Sequence, residues 1–128
     1  MPEKAYMGLR KFNRAIFNPV IKLFAGRFFY SLVIHTGRRS GKTFSTPVLA
    51  AKTGGLIYIP LPYGANTDWS LNIQASGNCR VQIAGRCYPS TCPEIVGPSA
   101  ALLAFSPFLQ RTFRRAGVNH YLRLKIQG

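Results

Sequence analysis

The sequence predicts a mainly β protein with helices, of the α+β class, in which a small antiparallel barrel carries helices on its outside. Short apolar runs with period-two alternation, separated by glycine turns, predict about six strands. Because these turns are too short to hold crossover helices, the strands are expected to pair as antiparallel hairpins. The length of 128 residues and the apolar fraction of 47% fit a single domain over residues 1–128.

Residues 1–30 are predicted to form an amphipathic N-terminal helical region. Between residues 4 and 29, apolar side chains recur every three or four positions, and Lys and Arg lie between them. Asn18 followed by Pro19 is typical of a helix start, so the region divides into two helices there. Two interpretations stay open: the apolar stripe packs on the barrel, or it rests on an anionic membrane surface.

The remaining elements are predicted in chain order. The strands cover residues 31–36, 44–51, 56–61, 79–84, 86–95 and 120–126. Residues 66–67 cap a short central helix, which ends at Gly77. A C-terminal helix begins at Ser99, breaks at residues 106–107, and ends at Gly117.

The net charge of +14 is the outlier in the composition. Such a field attracts nucleic acid, anionic lipid or a multiply charged small ligand, and its sign alone does not choose among them. Single-strand binders interleave exposed aromatic residues with cations on one sheet face. Here the cations concentrate in helices and one turn, so no specific nucleic-acid partner is expected.

The three cysteines do not form a disulfide framework, because their number is odd and the chain is not rich in cysteine. They also lack metal-ligand spacing, so no metal site is expected, and the thiols are predicted to be reduced and mostly buried. Neither a secretion signal nor a transmembrane helix is visible. The expected location is the cytoplasm, with peripheral attachment to the inner face of the membrane as the alternative.

A basic turn stands between the first two predicted strands, in the stretch HTGRRSGKTFSTP over residues 35–47. This basic turn comprises residues 37–42. Its cations are Arg38, Arg39 and Lys42, and its glycines allow backbone amides to converge on a phosphate or carboxylate. The turn differs from a P-loop, because three residues separate its glycines instead of four and a strand follows instead of a helix. The alternative is a hairpin tip that faces water.

A second cluster follows the third predicted strand. Two prolines stiffen the loop over residues 60–64, and Gly64 permits a close approach of a ligand. The helix after the loop carries Trp69 and Asn72 on one face. A rigid, aromatic-lined pocket beside a cationic turn suits a planar ring with an anionic tail. The alternative for Trp69 is a place in the core.

These segments together resemble the deazaflavin-dependent nitroreductases over about residues 13–95. The motifs that carry the resemblance are TGRRSG at 36–41, the pair Thr46-Pro47, and WSLNIQA at 69–75. The resemblance implies a small antiparallel split β-barrel of the flavin-reductase-like type. It also implies a reductase that uses coenzyme F420, a deazaflavin whose tail carries a phosphate and glutamates. Flavin mononucleotide is the alternative cofactor.

The candidate cofactor-binding residues lie in the basic turn, the second strand, the proline loop and the central helix. They are Arg38, Arg39, Ser40, Gly41, Lys42, Thr46, Pro47, Pro62, Tyr63, Gly64, Trp69 and Asn72. The resemblance places the phosphate on the basic turn and the ring against the Thr46-Pro47 pair. Phe44 stands where family members often carry a basic residue, and Lys42 is expected to substitute for it.

No acid–base dyad is visible, since the three carboxylates are scattered. The catalytic residue stays unknown: water is one possible proton donor, and Tyr63 and Tyr121 are the candidate side chains. His35 is interpreted as structural. The implied function is hydride transfer from reduced F420 to a lipophilic acceptor such as a quinone or a nitroaromatic compound. One alternative is a non-catalytic carrier of a lipid or an anionic flavin-like cofactor on the same barrel. Another is a nucleic-acid-binding basic protein. The expected assembly is a monomer or a homodimer.

Overall fold

Seven strands form one sheet in the computed structural model, which describes residues 31–127. The predicted N-terminal helical region lies outside the described residues. The strands are β1 (Ser31–Thr36), β2 (Thr43–Val48), β3 (Ala51–Thr53), β4 (Leu56–Pro60), β5 (Asn78–Ile83), β6 (Arg86–Val96) and β7 (Tyr121–Ile126). Their order in the sheet is β2-β1-β5-β6-β7-β4-β3, and every pairing is antiparallel, as predicted.

The predicted second strand over residues 44–51 is wrong, because the chain turns a corner at Leu49 and Ala50. The strand before the corner pairs with β1 and the strand after it pairs with β4, so they lie at opposite edges of the sheet. Leu49 packs into one hydrophobic cluster and Ala50 into another, which anchors the corner. Since only these two residues separate the strands, the sheet curls until its edges approach each other there. The result is a split barrel that is not closed.

The inner face of the sheet holds the first hydrophobic core. Its fully buried side chains come from four strands and one helix: Val33, Ile57, Ile59, Ile73, Val81, Leu122 and Leu124. The helix is α1 (Asp68–Ser76), which contributes Ile73. Gly77 ends α1 in the left-handed conformation, with φ of 76°, and its amide donates to the carbonyl of Ile73.

The C-terminal helices cover a second core on the other face of β4 and β7. They are α2 (Pro98–Ala101), a 3₁₀ turn (Leu102–Ala104) and α3 (Pro107–Ala116). The predicted break is confirmed, since the Ser106 hydroxyl caps α3 by accepting from the amide of Leu109 at 3.3 Å. Gly117 ends α3 as predicted. Across residues 31–127, no helix combines the length and the apolar character needed to cross a membrane.

The prediction of mostly buried thiols is wrong for two of the three cysteines. Cys79 is buried, whereas Cys87 and Cys92 are exposed. Both exposed thiols lie on β6, a long strand that is irregular between Thr91 and Glu94. Cys92 lies in this irregular segment with a φ of 54°, a conformation that turns the strand out of its regular pleat.

Candidate functional site

The basic turn is the tip of the hairpin formed by β1 and β2. Within it, the Gly37 amide donates to the Lys42 carbonyl at 2.8 Å, and the Gly41 amide donates to the Gly37 carbonyl at 2.9 Å. The Lys42 amide donates to the Ser40 hydroxyl at 3.2 Å. Gly41 has a φ of 71°, which explains why a glycine stands there.

The turn therefore offers an anion fewer amides than its sequence suggests. Four of its N–H groups are used inside the protein, three within the turn and the Arg38 amide on helix α1. The amides of Arg39 and Ser40 have no partner among the described residues. The expectation of several free amides in the turn is corrected to these two, because the others donate hydrogen bonds that hold the hairpin and attach it to α1.

Arg38 fastens the basic turn to helix α1. Its backbone N–H and its Nη1 both donate to Oδ1 of Asn72, at 3.1 and 2.8 Å. Its Nη2 forms an ion pair with Oδ1 of Asp68 at 3.1 Å, and Nη1 also reaches the Asp68 carbonyl at 3.4 Å. The two predicted motifs, the turn and the Trp69–Asn72 segment, are thus brought into contact.

This geometry separates the roles of the cations in the turn. The Arg38 guanidinium is committed to Asp68 and Asn72, so its charge is largely balanced within the protein. Arg39 and Lys42 are exposed at the tip and have no ion-pair partner among residues 31–127. Arg38 therefore positions the turn, and the exposed positive charge comes from its two neighbours.

Asn72 is the buried junction of the site, with an exposed fraction of only 1%. Its Oδ1 accepts both bonds from Arg38, so the other side of the amide must be the Nδ2 donor. Nδ2 lies 3.1 Å from Nδ1 of His35. The amide therefore donates to the imidazole, which leaves Nδ1 unprotonated and places the ring hydrogen on Nε2.

His35 continues the chain from Asn72 to the second strand. Its Nε2 lies 3.0 Å from Oγ1 of Thr46, and its ring stacks on Phe44 with centroids 5.9 Å apart. The side chain is almost fully buried, and burial lowers its pKa from 6.5 to about 4, so the ring is neutral at neutral pH. The sequence interpretation of His35 as structural missed this link to the site.

Phe44 occupies the space that the missing side chain of Gly37 leaves. A Cβ built on Gly37 would lie 2.7 Å from Cε2 of the phenyl ring and 2.8 Å from the Ser40 hydroxyl. The ring therefore packs directly on the backbone of the turn. Phe44 thus has a packing role: its ring contacts the backbone of the turn on one side and stacks on His35 on the other.

The Thr46-Pro47 pair is divided between the two faces of β2. Register pairs Thr46 with Val33 and Phe44 with His35, which places these side chains on the inner face of the hairpin. Pro47 alternates to the opposite face and is exposed. Only Thr46 thus lies on the side of His35, and the predicted contact of both residues with the cofactor ring stays a prediction.

The proline loop leads directly into α1. Gly64 has a φ of 84° and donates its amide to the Leu61 carbonyl at 3.0 Å. Pro62 and Tyr63 are half-buried, and burial raises the pKa of the Tyr63 hydroxyl to about 12. Trp69 is partly buried and packs against the first core, and its predicted part in binding the cofactor ring stays a prediction.

Tyr121 does not belong to the site. Its side chain is fully buried in the second core, beneath the C-terminal helices, and its hydroxyl donates to the Val118 carbonyl at 3.0 Å. Its neighbour Leu122 points to the first core instead. The prediction of Tyr121 as a proton donor is therefore wrong, because strand alternation places its phenol in the packing of α3.

A cleft of about 250 Å³ lies between β1, β5 and the end of β7. It is also lined by Thr36 and Thr43, the residues that flank the basic turn. None of the predicted site residues lines it. Within residues 31–127, no group of three or more His, Cys, Asp or Glu is arranged to hold a metal ion.

Comparison with known proteins identifies the class and then the family. The structure of an F420-H2-dependent reductase, FDR-A, matches with a TM-score of 0.53 and 19% identity, over 74% of this chain and 92% of that one. A second F420 reductase matches with a TM-score of 0.55 and 11% identity, over 80% and 89%. General stress protein 26 of Bacillus anthracis matches with a TM-score of 0.55 and 14% identity, over 84% of each chain.

At these identities the structural matches show the fold alone, a barrel shared with F420 reductases. The family follows from the sequence: residues 14–110 match the F420H(2)-dependent quinone reductase family, and the chain belongs to it. Comparison with curated proteins finds no match. Membership confirms that the chain is an oxidoreductase and that F420 is the cofactor of its family.

The residues present fit an F420 molecule in two respects. The exposed cations and the two unpartnered amides of the basic turn suit a polyanionic tail. The described carboxylates do not oppose it, because Asp68 is paired with Arg38 and Glu94 with Arg123 at 3.1 Å. On the inner face of β2, the Thr46 hydroxyl offers a hydrogen-bond donor to a polar ring edge.

Proposed function

We propose that this protein reduces a quinone, or a related lipophilic acceptor, with F420H2 as the hydride donor. The family supports the cofactor and the acceptor class. The single observation that carries the proposal is the attachment of the basic turn to helix α1 through Arg38, Asp68 and Asn72. This attachment holds a turn with two unpaired cations beside the inner face of β2, where an anionic tail and a flat ring can bind together.

The protein residues have three tasks in this reaction. Arg39 and Lys42 bind the tail, with the amides of Arg39 and Ser40 as further donors. Thr46 contacts the edge of the ring, and the helix with Trp69 supports the turn from behind. F420H2, when bound, supplies a hydride from its deazaflavin ring. The rate gain then comes mainly from holding the hydride donor and the hydride acceptor in the correct relative position.

Reduction of a quinone by a hydride also consumes one proton. Tyr63 is the candidate donor in the described part of the chain, since its hydroxyl stays protonated at neutral pH with a pKa of about 12. A pKa this far above neutral makes it a weaker acid than an ordinary tyrosine, whereas general acids work best with a pKa near the operating pH. Water is the other proton source.

The test is turnover by the purified protein with F420H2 and a soluble quinone, followed by the absorbance of oxidised F420. The expected result is quinone-dependent oxidation, and a parallel assay with a nitroaromatic compound ranks the two acceptor classes. Tight F420 binding without oxidation of either acceptor would instead favour the carrier alternative. No binding of F420 at all would contradict the proposal.

We also propose that the protein works at an anionic membrane surface, where lipophilic quinones are found. Two observations support this: the net charge of +14, and an exposed Leu103 with 86% of its surface accessible in the C-terminal region that carries Arg111 and Arg115. Co-sedimentation with phosphatidylglycerol vesicles is expected, and it should be lost with phosphatidylcholine vesicles. Equal binding to both, or to neither, would contradict the proposal.

A further inference from the structure

Arg38, Asn72, His35 and Thr46 are joined by a series of hydrogen bonds in which each residue donates to the next. Arg38 can only donate, so Oδ1 of Asn72 accepts and its Nδ2 donates to Nδ1 of His35. Nδ1 must then be the acceptor, and Nε2 must carry the hydrogen. At 3.0 Å from Thr46, Nε2 therefore donates to Oγ1. The direction of each hydrogen bond is fixed by the one before it. The series begins at the Arg38 guanidinium, which is always charged.

The consequence concerns the hydroxyl of Thr46. Its oxygen accepts one bond from His35, which orients the group and leaves the O–H hydrogen available for donation. No described residue accepts that hydrogen. Thr46 is half-buried and lies on β2, an edge strand, so no strand within residues 31–127 pairs with β2 on the side away from β1.

The position of Thr46 suits the ring end of an elongated ligand. It stands three residues after Thr43, where the strand leaves the basic turn. At about 3.3 Å per residue, this places it roughly 10 Å along the strand from the turn. A molecule with its anionic tail on Arg39 and Lys42 can thus present a carbonyl oxygen or ring nitrogen to Thr46.

We propose that His35 is a positioning residue which holds the Thr46 hydroxyl as a hydrogen-bond donor to an acceptor atom of the bound deazaflavin ring. This inference rests on the proposed function, and goes beyond it by assigning to His35 the orientation of the Thr46 hydroxyl. His35 does not touch the cofactor. It acts by donating to the oxygen of Thr46, which orients the hydroxyl so that its own hydrogen can point to the ligand.

The first experiment compares Thr46→Val with Thr46→Ser in titrations with F420, read from Trp69 fluorescence and from the visible absorption of the bound cofactor. Thr46→Val keeps the side-chain shape but loses the donor, and about a threefold to tenfold weaker affinity is expected. The absorption band of bound F420 should also shift in this variant, and Thr46→Ser should restore both values. An unchanged affinity and band in Thr46→Val would overturn the inference.

The second experiment tests whether His35 acts through Thr46. His35→Gln can still donate from its amide nitrogen to Oγ1, so it should retain near wild-type affinity, while His35→Leu should weaken binding as much as Thr46→Val does. The double variant His35→Leu/Thr46→Val should be no weaker than Thr46→Val alone. Additive losses would overturn the inference, because they would show that His35 acts on the site independently of Thr46.

Failure of the inference can be told apart from failure of the proposed function. If Arg39→Ala weakens F420 binding while Thr46→Val and the His35 variants bind as wild type, the inference is overturned and the proposed function stands. If the wild-type protein does not bind F420, both are overturned. Circular dichroism of each variant checks that it is folded, and the Thr46 pair carries the test should His35→Leu not fold.

Discussion

Arg38 and Asn72 lie 34 positions apart in the sequence, yet the arginine gives two hydrogen bonds to one oxygen of the asparagine. One comes from its backbone at 3.1 Å and the other from its guanidinium at 2.8 Å. A backbone bond and a side-chain bond to the same atom fix both the position and the direction of the turn. The cations that follow Arg38 are therefore presented by a hairpin that cannot swing freely.

Arg38→Ala is expected to reduce stability more than it reduces cofactor binding. It removes a charge-assisted bond to Asn72 and leaves Asp68 without its partner, which should lower the free energy of unfolding by about 1–2 kcal/mol. Urea unfolding measures this change. Arg39→Ala serves as the matched control and should change stability by no more than about 0.5 kcal/mol, since its side chain is exposed. An equal stability for both variants would show that Arg38 does not hold the turn.

His35 should make the protein less stable as the pH falls from 6.5 to about 4. The unfolded chain takes up a proton near the ordinary pKa of 6.5, whereas burial keeps the folded imidazole neutral down to about 4. Protons therefore favour the unfolded state within this window, and the loss should total about 3 kcal/mol at its acid end. Unfolding in urea at a series of pH values measures it.

His35→Gln provides the control for this pH dependence, because the amide does not titrate. The variant should lack most of the slope between pH 6.5 and 4, while the carboxylates contribute equally to both proteins. Identical slopes in wild type and variant would mean that the folded imidazole takes up its proton as readily as the unfolded one.

Gly37→Ala should loosen the basic turn. The added methyl group would meet the Phe44 ring at 2.7 Å, so the ring has to move off His35, and a cost of about 1–3 kcal/mol is expected. Gly55→Ala is the matched control, since nothing lies within 4 Å of a Cβ at that turn. Thermal unfolding of the two variants compares them. A Gly37→Ala protein as stable as the control would contradict the packing of Phe44 on the turn.

Local signals in the sequence were enough for most of the fold. Period-two alternation and glycine turns predict the hairpins, and Ser106-Pro107 marks the break before α3. The corner at Leu49–Ala50 could not be predicted from local sequence signals. Its residues are as strand-like as their neighbours, and the chain bends there because the two side chains enter different cores.

The sequence indicated candidate residues for the site, but not which residues contact one another. The sequence shows Arg38, Asp68 and Asn72 as ordinary polar residues, and their contact depends on how α1 lies against β1, which no local pattern specifies. One signal was available for His35. A hairpin closed around residues 37–42 pairs Thr36 with Thr43, so counting back places His35 opposite Phe44. Thr46 lies two residues further along the same strand and on the same face as Phe44.

Arg39 and Lys42, on a turn held by Arg38, are expected to bind the anionic tail of F420. Fluorescence titration of wild type, Arg39→Ala and Lys42→Ala tests it most directly, with Arg86→Ala, an exposed arginine near another hairpin tip, as the control. The predicted result is about a tenfold to hundredfold weaker affinity for Arg39→Ala, a loss of the same kind for Lys42→Ala, and no change for the control. F420 affinities that are equal in all four proteins would contradict the account.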